Sequence, residues 1–231
     1  MRRNDGPDPV PSLAAVLFDL DDTLLDRRRT LDRYLADHAL RAGLPAHVAA
    51  VYRTRFYELD ACGYAPRANV FGQLCVEFPS LPSADTLVAD YREHAFRRCE
   101  FMEGATDILA WCRRAGLARA IVTNGSSAIQ RAKIDALALA NLVDLAVVSG
   151  EEGIAKPETE LFHRVAGRLG ATPGACAFVG DNPHNDVDGA RRAGMVAVWF
   201  QRELPWPVDV PPSSLSIARL SALPQALGFL A

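Results

Sequence analysis

The sequence predicts an α/β fold: a parallel sheet with helices on both faces, carrying one inserted α-helical domain. Three observations predict it. From residue 101 onward, short apolar runs alternate with segments of helical periodicity, and such alternation implies parallel strands covered on both sides. One more apolar run, Leu13-Ala14-Ala15-Val16-Leu17, stands near the start and reads as a buried strand. Between the two lies a block, residues 27–100, with four helical patterns and no convincing strand. The expected organisation is therefore a loose tail over 1–12, a core built from 13–26 and 101–231, and a helical domain over 27–100.

The tail is polar and rich in Pro, Asp and Arg, with no apolar stretch that would serve as a signal peptide. In the helical block, Leu31, Tyr34, Leu35, His38 and Ala39 recur at helical spacing, and Gly43 and Pro45 end that helix. Arg27-Arg28-Arg29 before them reads as a solvated helix start. Val48, Val51, Tyr52, Phe56 and Leu59 mark a second helix. Val70, Phe71, Leu74, Cys75 and Phe78 mark a third, and Ala84, Leu87, Val88, Tyr91 and Ala95 a fourth. Gly63-Tyr64-Ala65-Pro66 is a loop between the second and third.

The core resumes with a short helix carrying Ala105, Ile108, Leu109 and Cys112, closed by Gly116. Strands are expected at 118–122, 143–148, 175–179 and 195–200, with a short edge strand at 217–220. Helices are expected after Ser126 or Ser127 (either of which can cap), after Pro157, over 187–193, and as a terminal turn at 224–230.

At 231 residues the chain is long enough for one large domain or a core with a smaller second domain. Its 49% hydrophobic and 23% charged content are those of a globular soluble protein. A formal net charge of −3 argues against a nucleic-acid polymer as partner. No apolar run approaches the ~20 residues of a membrane span, so no membrane partner is expected and the cytoplasm is the default location. The five cysteines, odd in number and without a Cys-x-x-Cys spacing, read as small buried apolar residues of a reducing compartment.

The chemistry begins at Phe18-Asp19-Leu20-Asp21-Asp22-Thr23-Leu24, directly after the first strand. In extended backbone, residues two apart share a face, so Asp19 and Asp21 reach one point beyond the strand's carboxyl end. In an open α/β sheet that is where ligands bind. Two carboxylates there repel, and the pair calls for a metal, a proton or a cationic substrate environment. Taken alone, the stretch is also compatible with an acidic turn.

This stretch resembles the first motif of the haloacid dehalogenase superfamily, most of whose members are phosphatases. Thr123-Asn124-Gly125, Lys156-Pro157 and Gly180-Asp181-Asn182-Pro183-His184-Asn185-Asp186 match the other three motifs, in the family's order. The resemblance implies a Rossmann-like core, with the block 27–100 as a helical cap. It implies Mg²⁺ held by the side chains of Asp19 and Asp181 and the backbone carbonyl of Asp21, with Asp186 orienting the site. Asp19 is then the nucleophile and Asp21 the acid and base. Thr123, the backbone N–H groups of Asn124 and Gly125, and Lys156 hold the phosphate. His184 and Asn185 read as ordinary loop residues. In the cap, Tyr64 and Arg67, beside Asp60, are candidates to select the substrate.

The implied reaction is Mg²⁺-dependent hydrolysis of a small phosphorylated metabolite, a nucleotide or sugar phosphate, through an aspartyl-phosphate. A haloacid dehalogenase or phosphomutase of the same superfamily, or a non-catalytic binding domain on this fold, are the alternatives. Dehalogenases of the family lack the second aspartate of the first motif, which here is Asp21.

Overall fold

A computed structural model describes residues 13–229; the tail 1–12 and Leu230, the end of the expected terminal turn, lie outside the described residues. The described chain forms two compact units, one of Arg27–Glu100 and one of residues 13–26 with 101–229.

The first unit is four helices: α1 (Arg27–Arg41), α2 (Ala46–Asp60), α3 (Arg67–Glu77) and α4 (Ala84–His94). Gly43, at φ +66°, supplies the left-handed residue that ends α1. The apolar stripes meet around three aromatic rings. Phe71 lies 5.9 Å from Phe56 and 5.8 Å from Tyr91 between centroids. Each such side chain, fully buried, contributes roughly 1.5–3 kcal/mol. One polar cluster crosses the bundle. Asp90 of α4 accepts hydrogen bonds from Tyr34 (2.9 Å) and Arg41 (2.8 Å), and lies 3.0 Å from His38 Nδ1. Burial pushes the Asp90 carboxyl up, but Arg41, Tyr34 and His38 outweigh it and hold it at about 2. Arg27 departs from the solvated helix start expected of it. It is buried and pairs with Asp60, because a carboxylate only 1% exposed at the end of α2 demands a cation.

The second unit is a six-stranded sheet, all parallel: β1 (Ala15–Phe18), β2 (Ala118–Thr123), β3 (Leu145–Val148), β4 (Cys176–Gly180), β5 (Val196–Phe200) and β6 (Leu215–Ile217), in the order β3-β2-β1-β4-β5-β6. The first strand thus lies at the centre. Phe18 is in register with Ile121 of β2 and Val179 of β4. Both faces of β1 are buried, which is why it reads as an unbroken apolar run rather than an alternating one. The connecting helices are α5 (Ala105–Arg114), α6 (Ser127–Ala136), α7 (Ser149–Glu152), α8 (Thr159–Arg168), α9 (Gly189–Arg192) and α10 (Leu223–Ala226), and a turn of π-helix at Pro183–Asp188 leads into α9. Leu17, Val122, Val147 and Phe178 pack on Phe162 and Val165 of α8, with the Phe162 and Phe178 rings edge to face at 5.1 Å.

Some boundaries differ from those expected. The edge strand is Leu215–Ile217, not 217–220, because Leu215 and Ile217 pair with Val198 and Phe200. β3 begins at Leu145: the preceding Asp144 accepts from the Arg119 backbone N–H and guanidinium instead. Ser126 sits at the cap of α6 without a capping side-chain bond, and Ser127 turns its hydroxyl to Glu151. The cysteines are all free thiols, but only Cys112 and Cys176 are buried; Cys62 is exposed in a turn. Among the described residues no helix is long and apolar enough to cross a membrane.

Candidate active site

The strand order reverses direction at β1 and β4, and in open α/β sheets ligands sit beyond the carboxyl ends of strands at such a point. Asp19 follows β1, Thr123 ends β2 and Asp181 follows β4, so the carboxyl ends of three adjacent strands gather three of the four motifs. Asp19 is fixed by its backbone N–H, which donates to the Val179 carbonyl at 2.9 Å. The remaining motif, Lys156-Pro157, arrives through the loop before α8.

Lys156, 4% exposed, donates from Nζ to Asp19 Oδ1 at 2.6 Å and to Asp186 Oδ1 at 2.6 Å. Its backbone is clamped by the Asn124 side chain, which accepts from the Lys156 N–H (2.9 Å) and donates to its carbonyl (2.8 Å). The peptide bond to Pro157 is cis. Asn124 thus joins the second motif to the third through its side chain, a job the sequence alone does not announce.

Carboxylate oxygens of Asp19, Asp181 and Asp186 all lie within 4.8 Å of one another. Asp186 is the most enclosed. One oxygen takes Lys156, and the other accepts the Asn182 backbone N–H at 3.0 Å. The Asn182 side chain caps the turn by accepting from the backbone N–H groups of His184 and Asn185. His184 is exposed, but on the π-helical turn rather than in the ordinary loop expected of it, 3.6 Å from Asp209. The Trp199 indole donates to the Asp181 carbonyl at 3.1 Å and holds the backbone of that residue.

This concentration of buried negative charge is under-compensated. Burial pushes the Asp19 carboxyl up to about 7 despite the pull of Lys156, with Asp186 and Asp21 adding to the rise. Burial, then Asp186 and Asp19, push Asp181 up to about 9. For Lys156, burial works against the charge, but Asp186 and Asp19 outweigh it and hold the ammonium above its ordinary range. One lysine cannot balance three carboxylates. A hard cation with oxygen ligands fits the donor set and the excess charge.

Asp21 points into a different set of partners. Lys133 Nζ lies 2.8 and 2.7 Å from its two oxygens, and Gln130 Nε2 donates to Oδ2 at 3.0 Å. Gln130 also donates to the Thr123 hydroxyl. The helical pattern after Thr123 sets Lys133 beside Ile129, Ala136 and Leu137, and a lysine on an apolar face was the available signal of a buried ion pair. The Gly125 backbone N–H, which the resemblance assigns to phosphate, here donates to the Ser149 hydroxyl at 3.0 Å, because α7 packs against the loop there. A β-carbon on the neighbouring Gly150 would come within 2.7 Å of the Gly125 carbonyl, which shows how close that approach is.

In the helical unit, Arg67 pairs with Asp60 and donates to the Ala65 carbonyl at 2.9 Å, while Tyr64 is 62% exposed. Arg67 and Arg27 together staple the 60–67 loop to Asp60.

The family model for haloacid dehalogenase-like hydrolases matches residues 13–194. A phosphoserine phosphatase of Thermus thermophilus is 33% identical, over 82% of this chain and 89% of the relative. A glyceraldehyde 3-phosphate phosphatase of Pyrococcus abyssi is 26% identical, over 82% of each chain. The L-2-haloacid dehalogenase of Xanthobacter autotrophicus, in a structure with chloropropionic acid covalently bound, shares the fold. Its TM-score is 0.67 and its identity 21%, covering 95% of this chain and all of that one. The chain belongs to the haloacid dehalogenase-like hydrolase family, and its activity is that of a hydrolase.

Proposed function

We propose that this hydrolase is a Mg²⁺-dependent phosphatase acting on small phosphate monoesters through an aspartyl-phosphate on Asp19. The observation that carries the reading is Lys156 Nζ, 2.6 Å from Asp19 and 2.6 Å from Asp186, inside a group of three buried carboxylates. Phosphoryl transfer depends chiefly on positioning and charge neutralisation. Asp19, Asp181 and the Asp21 carbonyl would hold Mg²⁺, with Asp186 orienting the site through Lys156 and Asn182. Bound there, Mg²⁺ would supply positive charge against the phosphoryl oxygens.

Asp19 attacks phosphorus while Asp21, which must enter this step as the neutral acid, gives its proton to the leaving alcohol oxygen. Asp21, now a carboxylate, takes a proton from water as that water attacks the aspartyl-phosphate. Inorganic phosphate leaves and Asp19 is regenerated. Thr123, the Asn124 N–H and Lys156 hold the phosphate oxygens, and Gly125 shapes the loop. The two relatives are named for small phosphate esters of different metabolites, which supports a metabolite-sized ester; a nucleotide or sugar phosphate is the class proposed. Tyr64 and Arg67 are proposed to select it, and the cytoplasm is the proposed location. A halide needs no proton to leave, so a dehalogenase has no use for an acid at Asp21. That separates this reading from the dehalogenase with which the fold is shared.

The test is hydrolysis of an aryl phosphate and of a panel of phosphorylated metabolites. Activity should vanish with a chelator and return with Mg²⁺. Full turnover in metal-free buffer, or halide release from a haloacid with no phosphate release, would defeat the proposal.

A further inference from the structure

We propose that Lys133 and Gln130 are positioning residues that set both the Asp21 carboxylate and the Thr123 hydroxyl. The inference rests on the phosphatase reading above and adds two residues to it. Both side chains come from α6, one turn apart, and both are buried, at 4% and 2% exposure. A lysine is rarely so enclosed unless it is paired.

The orientation of the Gln130 amide follows from its neighbours. Lys133 Nζ lies 2.7 Å from Gln130 Oε1, and an ammonium only donates, so the amide oxygen faces the lysine. The amide nitrogen then faces the site. Its two hydrogens go to Asp21 Oδ2 at 3.0 Å and to Thr123 Oγ1. With the amide reversed, its oxygen would meet the Asp21 carboxylate, a repulsive contact. Two consequences follow. Thr123 accepts from Gln130, so its own hydroxyl hydrogen is left to donate elsewhere, and a phosphate oxygen is the acceptor the site supplies. Asp21 is gripped at both oxygens by Lys133, with Gln130 on the second, which fixes the distance from Asp21 to the leaving oxygen. Gly125 makes room for this arrangement: a β-carbon there would lie 3.0 Å from Gln130 Cγ and 3.1 Å from Cδ.

The lysine also suits the chemistry of the second step. Once the leaving oxygen has taken the proton from Asp21, the residue is a carboxylate, and an ammonium facing both oxygens holds that carboxylate aimed at the water it must deprotonate. A merely structural buried pair would have no reason to tie the phosphate-binding hydroxyl into the same network.

The experiment compares wild type, Lys133→Met and Lys133→Arg on glycerol phosphate and on p-nitrophenyl phosphate, with Mg²⁺ and rapid quenching. A carboxylate displaced by about 1 Å costs on the order of a hundredfold. Lys133→Met should therefore lower kcat on glycerol phosphate by that order, with KM nearly unchanged. It should spare the first step with the aryl ester and accumulate aspartyl-phosphate. Lys133→Arg should recover most of the loss. Where Lys133→Met does not fold, Gln130→Leu carries the test: it leaves the ammonium in place and should raise KM for both esters while lowering kcat on glycerol phosphate. Equal losses on both esters with KM unmoved, or no loss, would overturn the positioning role while wild-type activity left the phosphatase reading standing. A wild type inactive on every phosphate ester would overturn both.

Discussion

Gly180 is the wall against which the Asp186 carboxylate rests: a β-carbon on Gly180 would lie 2.3 Å from Asp186 Oδ2 and 2.4 Å from Cγ. No side chain fits there without moving the carboxylate, and the carboxylate is tied to Lys156 and to the Asn182 N–H. Gly180→Ala should therefore displace Asp186, and Lys156 with it. Overpacking of this kind costs about 1–3 kcal/mol. The expected result is a lower melting temperature and weaker Mg²⁺ binding by calorimetry, together with a large loss of turnover. Unchanged metal affinity would mean that Asp186 does not orient the site.

The raised carboxyls would make binding of the proposed Mg²⁺ proton-linked. In the metal-free protein, Asp19 lies near 7 and Asp181 near 9, well above their ordinary unfolded values near 3.9. The folded state then binds more protons than the unfolded one, so these groups lower stability progressively as pH rises from about 4 toward 9. A cation competes with those protons and releases them on binding. At pH 6.5, the heat of Mg²⁺ binding should depend on the ionisation enthalpy of the buffer, and affinity should rise with pH. The pH-dependent loss of stability in chelator should shrink in Asp181→Asn. A buffer-independent heat at pH 6.5 would contradict the linkage.

The substrate selection proposed for Tyr64 and Arg67 takes a more specific form in light of the loop. Arg67 spends its guanidinium on Asp60 and the Ala65 carbonyl, so it sets the shape of the loop, and Tyr64 is its exposed aromatic surface. Arg67→Ala should lower stability by about 1–3 kcal/mol, the scale of a charged hydrogen bond lost from a buried partner. Tyr64→Ala, at a side chain 62% exposed, should lower the melting temperature less. Both should reduce kcat/KM for the preferred ester while sparing p-nitrophenyl phosphate. Equal losses on both esters would remove these residues from substrate choice.

What the sequence discloses and what it hides divide along contact distance. The strands are apolar runs and the helices have a 3.6-residue period, so both are local signals that survive in a single chain. The four motifs are also local: each is a short stretch after a strand or before a helix, and the sheet order then brings them together. Lys133 on an apolar helix face signals a buried ion pair, but its partner, Asp21, is 112 residues away and nothing near Lys133 names it. Arg27 looks solvated until Asp60, 33 residues on, is seen to be buried. The Gly125 N–H looks free for phosphate until Ser149 arrives from the next strand's end. Periodicity reports which face is buried; it does not report which buried polar groups find each other.

The division of labour between the two aspartates of the first motif gives the last prediction. An alkoxide needs a proton as its bond to phosphorus breaks, whereas an aryloxide needs much less. Positioned acid–base help is worth roughly a hundred- to ten-thousand-fold. Asp21→Asn should therefore damage turnover of an alkyl phosphate by about that factor and slow the first step with an aryl phosphate far less. The same change removes the base for the second step, so a phosphate-mass adduct should build up on Asp19 and be visible by mass spectrometry of the intact protein. Asp19→Asn should show neither adduct nor turnover. The Asp21→Asn change would also leave Lys133 facing a neutral amide instead of two carboxylate oxygens, so the melting temperature should fall. Near-normal hydrolysis of the alkyl ester by this variant would show that another group protonates the leaving oxygen, and Asp21 would then be a structural partner of Lys133 and Gln130.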